Sequence, residues 1–86
     1  MEQTLYKQVD PGKLAAARTA AGLTQDQMAQ RLGVTKAQVG NIERGFSKIH
    51  VDHLPIWADA CGVTDLDQFY TEAPRNAFLT RKKLLA

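Results

Sequence analysis

The chain has 86 residues, of which 44% are hydrophobic and 23% charged, and its formal net charge is +2. This composition is typical of a single globular domain with one core, and it excludes both a disordered chain and a fibrous one. No apolar run approaches the roughly 20 residues that span a bilayer, and the N-terminus lacks the pattern of a signal peptide. We therefore expect a cytoplasmic protein, which agrees with a single cysteine, Cys61, that has no disulfide partner in the chain.

Charge is unevenly distributed along the chain. Residues 31–50 contain four basic residues against Glu43 alone, whereas residues 51–72 contain five acidic residues and no Lys or Arg. The C-terminal stretch after residue 74 is basic again. Such segregation is typical either of a solvated surface or of an electrostatic binding face, and the total charge does not distinguish the two.

The first predicted helix has clear start and stop signals. Asp10 and Pro11 suit an N-cap and a first helical position, because proline has no N–H to leave unpaired there. Gly22 suits the left-handed position that ends a helix. These signals predict a helix over about 11–21.

The next two predicted helices share one start signal, a Thr followed three residues later by Gln, which is the pattern of a capping box. Each is followed by a glycine at a suitable stop position. The patterns predict helices over about 25–32 and 36–44. Their signal residues are Thr24, Gln27 and Gly33 for the first and Thr35, Gln38 and Gly45 for the second.

Two further helices are predicted in the second half of the chain. Asp52 can cap a fourth helix, which tolerates Pro55 in its first turn and ends at Gly62. Thr64 can cap a short fifth helix that reaches about Tyr70. The pattern of the C-terminal segment fits neither a helical nor a strand period, so its conformation stays open.

The predicted helices carry their apolar residues at helical spacing, which indicates one shared core. We expect an all-α fold, with a compact five-helix domain over residues 10–72, an N-terminal extension over 1–9 and a basic and apolar C-terminal extension over 73–86. The apolar positions expected to face inward are Leu14, Met28, Ala29, Leu32, Val39, Ile42, Leu54, Trp57, Ala58, Cys61 and Phe69.

The second and third predicted helices are joined by only Gly33, Val34 and Thr35, which is the arrangement of a helix-turn-helix. Burying the apolar side of the third helix turns Lys36, Ala37, Gln38, Asn41 and Arg44 outward or toward the helix start. These residue types suit the major groove, where Lys donates to guanine, Asn and Gln can bond adenine, and Ala can contact a thymine methyl.

The run GLTQDQMAQRLGVTKAQVGNIERG, residues 22–45, closely resembles the Cro/repressor-type (XRE-like, lambda-repressor-like) helix-turn-helix family. LPIWADACGV, residues 54–63, resembles the helix that follows in that family, and the likeness extends over about residues 11–70. The resemblance implies a sequence-specific regulator of transcription, of the phage or mobile-element repressor type. Such a protein binds a palindromic operator in double-stranded DNA as a homodimer, with the second motif helix in the major groove.

The resemblance also implies a role for individual positions. The positions matching those that face base edges are Lys36, Ala37, Gln38 and Asn41. Those matching phosphate contacts are Gln25, Thr35, Arg44, Ser47 and Lys48, with backbone N–H groups near Asp52 and His53 as a further contact. Arg18 and Glu43 match a structural ion pair that ties the first helix to the third.

Two positions on the predicted reading helix have alternative interpretations. Gly40 costs about 1 kcal/mol relative to alanine inside a helix, which indicates either a tolerant surface or a close approach of the backbone to DNA. Gln38 can turn back to complete its capping box or can contact a base, and it cannot do both fully at once.

Dimerisation and partner binding are less well defined by the sequence. Apolar residues near the C-terminus, Phe78, Leu79, Leu84 and Leu85, are candidates for packing against a second copy. The main alternative function is an antitoxin-like or adaptor-like module that binds a protein partner through acidic residues 51–72. We expect no enzyme activity, cofactor, small-molecule ligand or metal site, because no catalytic grouping or zinc-type ligand spacing is present.

Overall fold

The computed structural model describes residues 5–74 of the chain. In chain order, the elements are strand β1 (Leu5–Val9), helices α1 (Pro11–Ala20), α2 (Gln25–Leu32), α3 (Lys36–Glu43) and α4 (His53–Cys61), a 3₁₀-helix (Leu66–Phe69) and strand β2 (Tyr70–Pro74). In this part of the chain, no helix is both long enough and apolar enough to cross a membrane.

The first three helices begin where their capping residues predict. The Asp10 carboxylate accepts a hydrogen bond from the Gly12 N–H at 2.9 Å, at the start of α1. Both capping boxes are complete, with Thr24 capping α2 and Thr35 capping α3. These predictions are confirmed because a cap depends on residues within one turn of each other.

The expectation of five helices is wrong: the described residues form four α-helices, and a single 3₁₀-helix stands where the fifth was predicted. Its cap is Asp65 rather than Thr64, since the Asp65 carboxylate accepts a hydrogen bond from the Asp67 N–H at 3.0 Å. Tyr70 has an extended backbone and pairs with Val9. The strand therefore ends the helical turn before an α-helix can form.

The two strands form an antiparallel pair, with Leu5 opposite Pro74 and Val9 opposite Tyr70. Strand β1 lies in the segment predicted as an N-terminal extension, and the sequence analysis did not predict either strand. The architecture is otherwise helical, and the all-α helix-turn-helix class is confirmed. The proposed boundaries at residues 9/10 and 72/73 stay a prediction.

The core lies between the four helices and the 3₁₀-helix. Helix α2 contacts α3 and α4, and α1 contacts the same two helices. The Trp57 indole N–H donates to the Leu14 carbonyl oxygen at 3.1 Å, which joins α4 to α1 inside the core. The buried apolar residues are Leu14, Met28, Ala29, Leu32, Val39, Ile42, Leu54, Trp57, Ala58 and Phe69.

The predicted inward positions are confirmed, with one difference. Phe69 is 1% exposed and joins the core from the 3₁₀-helix as predicted, whereas Cys61 is only partly buried. Burial raises the pKa of the Cys61 thiol, which disfavours the reactive thiolate.

Candidate nucleic-acid interface

The helix-turn-helix is formed by α2, the turn 33–35 and α3. Gly33 has a φ of 71°, a left-handed conformation that a residue with a Cβ rarely adopts, and the Val34 N–H donates to the Ala29 carbonyl oxygen at 3.0 Å. Helix α3 buries Val39 and Ile42 against the core. Its opposite face is therefore presented outward.

The outward face of α3 and the loop after it carries the residues expected to contact DNA. Lys36, Ala37 and Gln38 are exposed, and Asn41 is half-buried. Arg44, Ser47 and Lys48 are exposed beyond the helix end. These side chains thus lie exposed or half-buried on α3 and on the loop that follows it.

Gln38 completes the capping box of α3. Its side-chain carbonyl oxygen accepts a hydrogen bond from the Thr35 N–H at 2.8 Å, while the Thr35 hydroxyl oxygen accepts one from the Gln38 N–H at 3.1 Å. The capping alternative is therefore the one observed. The amide NH₂ of Gln38 still lies at the exposed surface.

The C-terminal end of the outward face contains a group that sequence analysis did not identify. Arg44 Nη2 donates to the Asn41 side-chain oxygen at 2.8 Å, and the Arg44 guanidinium lies 5.4 Å from the centre of the Phe46 ring, a cation–π contact. Phe46 is 62% exposed. In the sequence, the signal for this cation–π contact was an aromatic residue, Phe46, two positions after Arg44.

The loop after α3 is held against the helix by its own backbone. The Asn41 main-chain carbonyl oxygen accepts hydrogen bonds from the N–H groups of Phe46 at 2.9 Å and Ser47 at 3.3 Å. Gly45, with a φ of 80°, makes this reversal of direction possible. Arg44, Phe46 and Ser47 are thereby kept beside the reading helix.

A partly buried network connects the interface to the rest of the fold. Arg18 Nε donates to Glu43 Oε2, and Arg18 Nη2 donates to Glu43 Oε1 at 3.0 Å, so the pair is bidentate. Gln25 Nε2 also donates to Glu43 Oε1 at 3.0 Å, and Arg18 Nη1 donates to the Leu23 carbonyl oxygen. Hydrogen bonding to Glu43 raises the pKa of the Arg18 guanidinium, and burial opposes it.

This network joins α1, α2 and α3 through one carboxylate. The side chains of Arg18 and Glu43 are 15% and 7% exposed, so the charges are shielded from water. Gln25 still has a second amide hydrogen, which its bond to Glu43 does not use. One residue at the start of α2 therefore braces α3, and the bond uses only one of its two amide hydrogens.

The start of α4 differs from its expected role. The Asp52 N–H donates to His50 Nδ1 at 3.1 Å, and the His53 N–H donates to the His50 carbonyl oxygen at 2.9 Å. Asp52 has a helical backbone conformation and makes no side-chain cap. Both N–H groups are thus used within the protein, which leaves neither for a phosphate.

The remaining predicted sites lie elsewhere. The acidic residues of segment 51–72 are exposed, and three apolar residues in the same segment, Val51, Ile56 and Leu66, are 75%, 40% and 36% exposed. The four candidate dimer residues lie outside the part of the chain that the structure describes. They are Phe78, Leu79, Leu84 and Leu85.

A helix-turn-helix whose second helix presents hydrogen-bonding side chains, braced by a shielded ion pair, defines a DNA-binding protein of the helix-turn-helix class. The family model HTH_3, described as helix-turn-helix, matches residues 14–69. The chain therefore belongs to the HTH_3 (XRE-type) helix-turn-helix family. It is a DNA-binding transcription regulator of that family, whose members are not enzymes.

Solved structures of similar proteins agree with this assignment. The restriction-modification controller protein C.AhdI from Aeromonas hydrophila is 29% identical, with a TM-score of 0.61, over 69% of this chain and 86% of the controller. An HTH_3 family transcriptional regulator from Vibrio cholerae is also 29% identical, with a TM-score of 0.58, over 87% of this chain but only 37% of the regulator.

A hypothetical transcription factor, NHTF, from Neisseria shares the fold, with 21% identity and a TM-score of 0.57 over 93% of this chain and 99% of that protein. The search of curated proteins found no match.

Proposed function

We propose that the chain binds a palindromic operator as a homodimer, with α3 of each copy in the major groove, and represses transcription as phage and mobile-element regulators do. The observation that carries this proposal is the outward face of α3, which presents hydrogen-bonding side chains on a helix braced by Glu43. An α-helix fits the major groove, where each base pair has a distinct pattern of donors and acceptors. Operator binding in a bacterial cell implies a cytoplasmic location.

The proposed contacts divide into two groups. Side chains on the first turns of α3 face base edges, and those at the start of α2 and around the ends of α3 hold phosphates, which fix the register but carry no sequence information. The base-facing residues are Lys36, Ala37, Gln38 and Asn41. The phosphate-binding residues are Gln25, Thr35, Arg44, Ser47 and Lys48.

The number of base pairs that one helix can contact supports a dimer. A single reading helix contacts few base pairs, and each discriminates by only about 1 to 3 kcal/mol. Two copies related by a two-fold axis would read two half-sites about 34 Å apart, or a multiple of that distance. We propose that Phe78, Leu79, Leu84 and Leu85 pack against the second copy.

Selection of bound sequences from a random duplex pool tests the proposal. We expect the intact chain to enrich an inverted repeat, and Lys36→Ala and Asn41→Ala to relax the preference at separate positions of each half-site. Lys7→Ala, which removes the same charge from β1 instead of α3, is the control and should leave the preferences unchanged. No enrichment with folded protein would contradict operator binding.

A protein-binding role for segment 51–72 is the alternative. Its support is the combination of acidic residues with exposed Val51, Ile56 and Leu66. This alternative predicts that variants of α3 behave like the parent chain and that Val51→Ser with Ile56→Ser removes binding to the partner. Enrichment of an inverted repeat, with base preferences that change in the α3 variants, would support DNA binding instead.

A further inference from the structure

We infer that α3 reads the keto edges of guanine and thymine and does not accept hydrogen bonds from the amino groups of adenine and cytosine. The inference rests on the proposed function, and it specifies the kind of base that the interface recognises. It follows from which atoms of the two amides on α3 are already bonded within the protein.

The orientation of the Gln38 amide follows from its hydrogen-bond partner, the Thr35 backbone N–H. The Thr35 backbone N–H can only donate, so the Gln38 atom 2.8 Å from it is the carbonyl oxygen. The same oxygen lies 3.3 Å from the Thr35 hydroxyl. Gln38 therefore offers DNA its NH₂ group, which has two donors and no acceptor.

Asn41 has the same orientation for a different reason. A guanidinium has donors only, so the Asn41 atom that Arg44 Nη2 contacts at 2.8 Å is also the carbonyl oxygen. The Arg44 guanidinium also lies 5.4 Å from the centre of the Phe46 ring, and this cation–π contact helps to hold it in place. Arg44 thus engages one lone pair of the Asn41 oxygen, and we assign the NH₂ group of this amide to the base.

The other two residues proposed to face bases complete the pattern. Lys36 has an ammonium group, which donates and cannot accept, and Ala37 has only a methyl group. Both are exposed. The base-facing side chains of α3 thus offer mainly hydrogen-bond donors and one methyl group, because the amide oxygens of Gln38 and Asn41 are already engaged within the protein.

The bases differ in how they fit such a surface. In the major groove guanine offers two acceptors, N7 and O6, and thymine offers O4 beside its methyl group, which suits Ala37. Adenine offers N7 but also an amino donor, and cytosine offers an amino donor. A donor that meets a donor leaves both unpaired, which is costly once water is excluded. This replaces the sequence-based expectation that Asn and Gln bond adenine through both amide atoms.

Base analogues in the best-bound duplex from the pool selection provide the test. We expect 7-deazaguanine, which lacks the N7 acceptor, to weaken binding about tenfold at half-site positions assigned to α3 by the Lys36→Ala and Asn41→Ala selections. Unsubstituted purine in place of adenine removes only the amino group, and we expect it to change affinity less than about twofold at those positions.

The outcomes separate this inference from the function on which it rests. A loss of about tenfold on removing an adenine amino group, at a position assigned to Gln38 or Asn41, would overturn the inference and leave operator binding intact. No effect of 7-deazaguanine at any guanine of those base pairs, on either strand, would do the same. Failure to enrich any sequence would overturn both.

A matched pair of variants tests the orientation of Gln38 directly. Gln38→Glu keeps the capping-box acceptor and replaces the donor group by a second acceptor. We expect the preference at one position to change from guanine to cytosine or adenine. Gln27→Glu makes the same change in the identical capping box of α2 and should leave every preference as in the parent. An unchanged guanine preference in Gln38→Glu would contradict the inference.

Discussion

At the scale of single residues, Glu43 connects the reading helix to the remainder of the fold. Its carboxylate accepts two hydrogen bonds from Arg18 and one from Gln25, although it is only 7% exposed. A shielded carboxylate is tolerated because its lone pairs are satisfied by donors, one of which carries the opposite charge. The same contacts restrict how α3 can move relative to α1 and α2.

Removing this carboxylate should be costly. We expect Glu43→Ala to lower the free energy of unfolding by about 3 to 5 kcal/mol, because Arg18 is left partly buried without its counter-charge. Chemical denaturation followed by circular dichroism measures the change. Glu72→Ala, at an exposed position on β2, should cost less than about 0.5 kcal/mol. Equal stability of the two variants would show that the pair contributes little.

Gly40 permits a test of the two interpretations of a glycine inside the reading helix. A Cβ built at this position would lie 3.7 Å from Arg44 Nη2 and 3.9 Å from Gln25 Nε2, which is ordinary van der Waals contact. We therefore expect Gly40→Ala to stabilise the fold by about 1 kcal/mol, through the better helix propensity of alanine.

DNA titration of the same Gly40→Ala protein distinguishes the interpretations. Unchanged affinity would indicate that the glycine is tolerated on an ordinary surface. A loss of affinity in this more stable protein would indicate that the helix backbone at Gly40 approaches DNA closely. A decrease in stability would contradict the geometry described above.

At the scale of elements, the starts of α2 and α3 are two versions of one local structure. Both have a threonine at the N-cap and a glutamine three residues later, and both form reciprocal hydrogen bonds at 2.8 and 3.1 Å. The start of α4 is different, because Asp52 already has helical backbone angles and its carboxylate does not cap the helix. A capping residue in the sequence thus predicted where α4 begins, but not whether its side chain forms the capping hydrogen bond.

The matched caps separate stability from DNA binding. We expect Thr35→Ala and Thr24→Ala each to lower the free energy of unfolding by about 1 kcal/mol, because each loses an equivalent cap. Only Thr35→Ala should also weaken DNA binding, since it releases Gln38 and removes a proposed phosphate contact. Denaturation and DNA titration of both variants check this. Equal losses of affinity would contradict a special role for the start of α3.

At the scale of the whole molecule, the exposed basic and the exposed acidic residues belong to different segments of the chain. The basic residues Lys36, Arg44 and Lys48 are exposed on or just after α3, whereas the acidic residues of segment 51–72 are exposed around α4 and the 3₁₀-helix. This arrangement favours the approach of a polyanion from the α3 side. Net charge alone would not predict it.

The slope of operator affinity against salt concentration should report how many phosphates are contacted by charged side chains. Two copies of Arg44 and Lys48 predict a slope of about −4 for log K against log salt concentration. Arg44→Ala should reduce the magnitude of that slope by about 2 per dimer, whereas Lys7→Ala should leave it unchanged. Titrations across a salt series measure it. An unchanged slope in Arg44→Ala would remove Arg44 from the phosphate contacts.

Three features of the molecule were determined by the sequence itself. These are the starts of α1, α2 and α3, the ten buried core positions, and the outward position of Lys36, Ala37 and Gln38. Each depends on interactions within one or two helical turns, or on the period of the helix, so it can be deduced from neighbouring residues. The resemblance to a known family added the pairing of Arg18 with Glu43.

Tertiary structure alone decided the features that join distant parts of the chain. Pairing of β1 with β2 brings residues from opposite ends together, and it ends the 3₁₀-helix at Phe69 before a fifth α-helix can form. The hydrogen bond from the Trp57 indole N–H to the Leu14 carbonyl oxygen joins α4 to α1 across 43 positions of the chain. No local period encodes these contacts, because the chain must first fold before the partners meet.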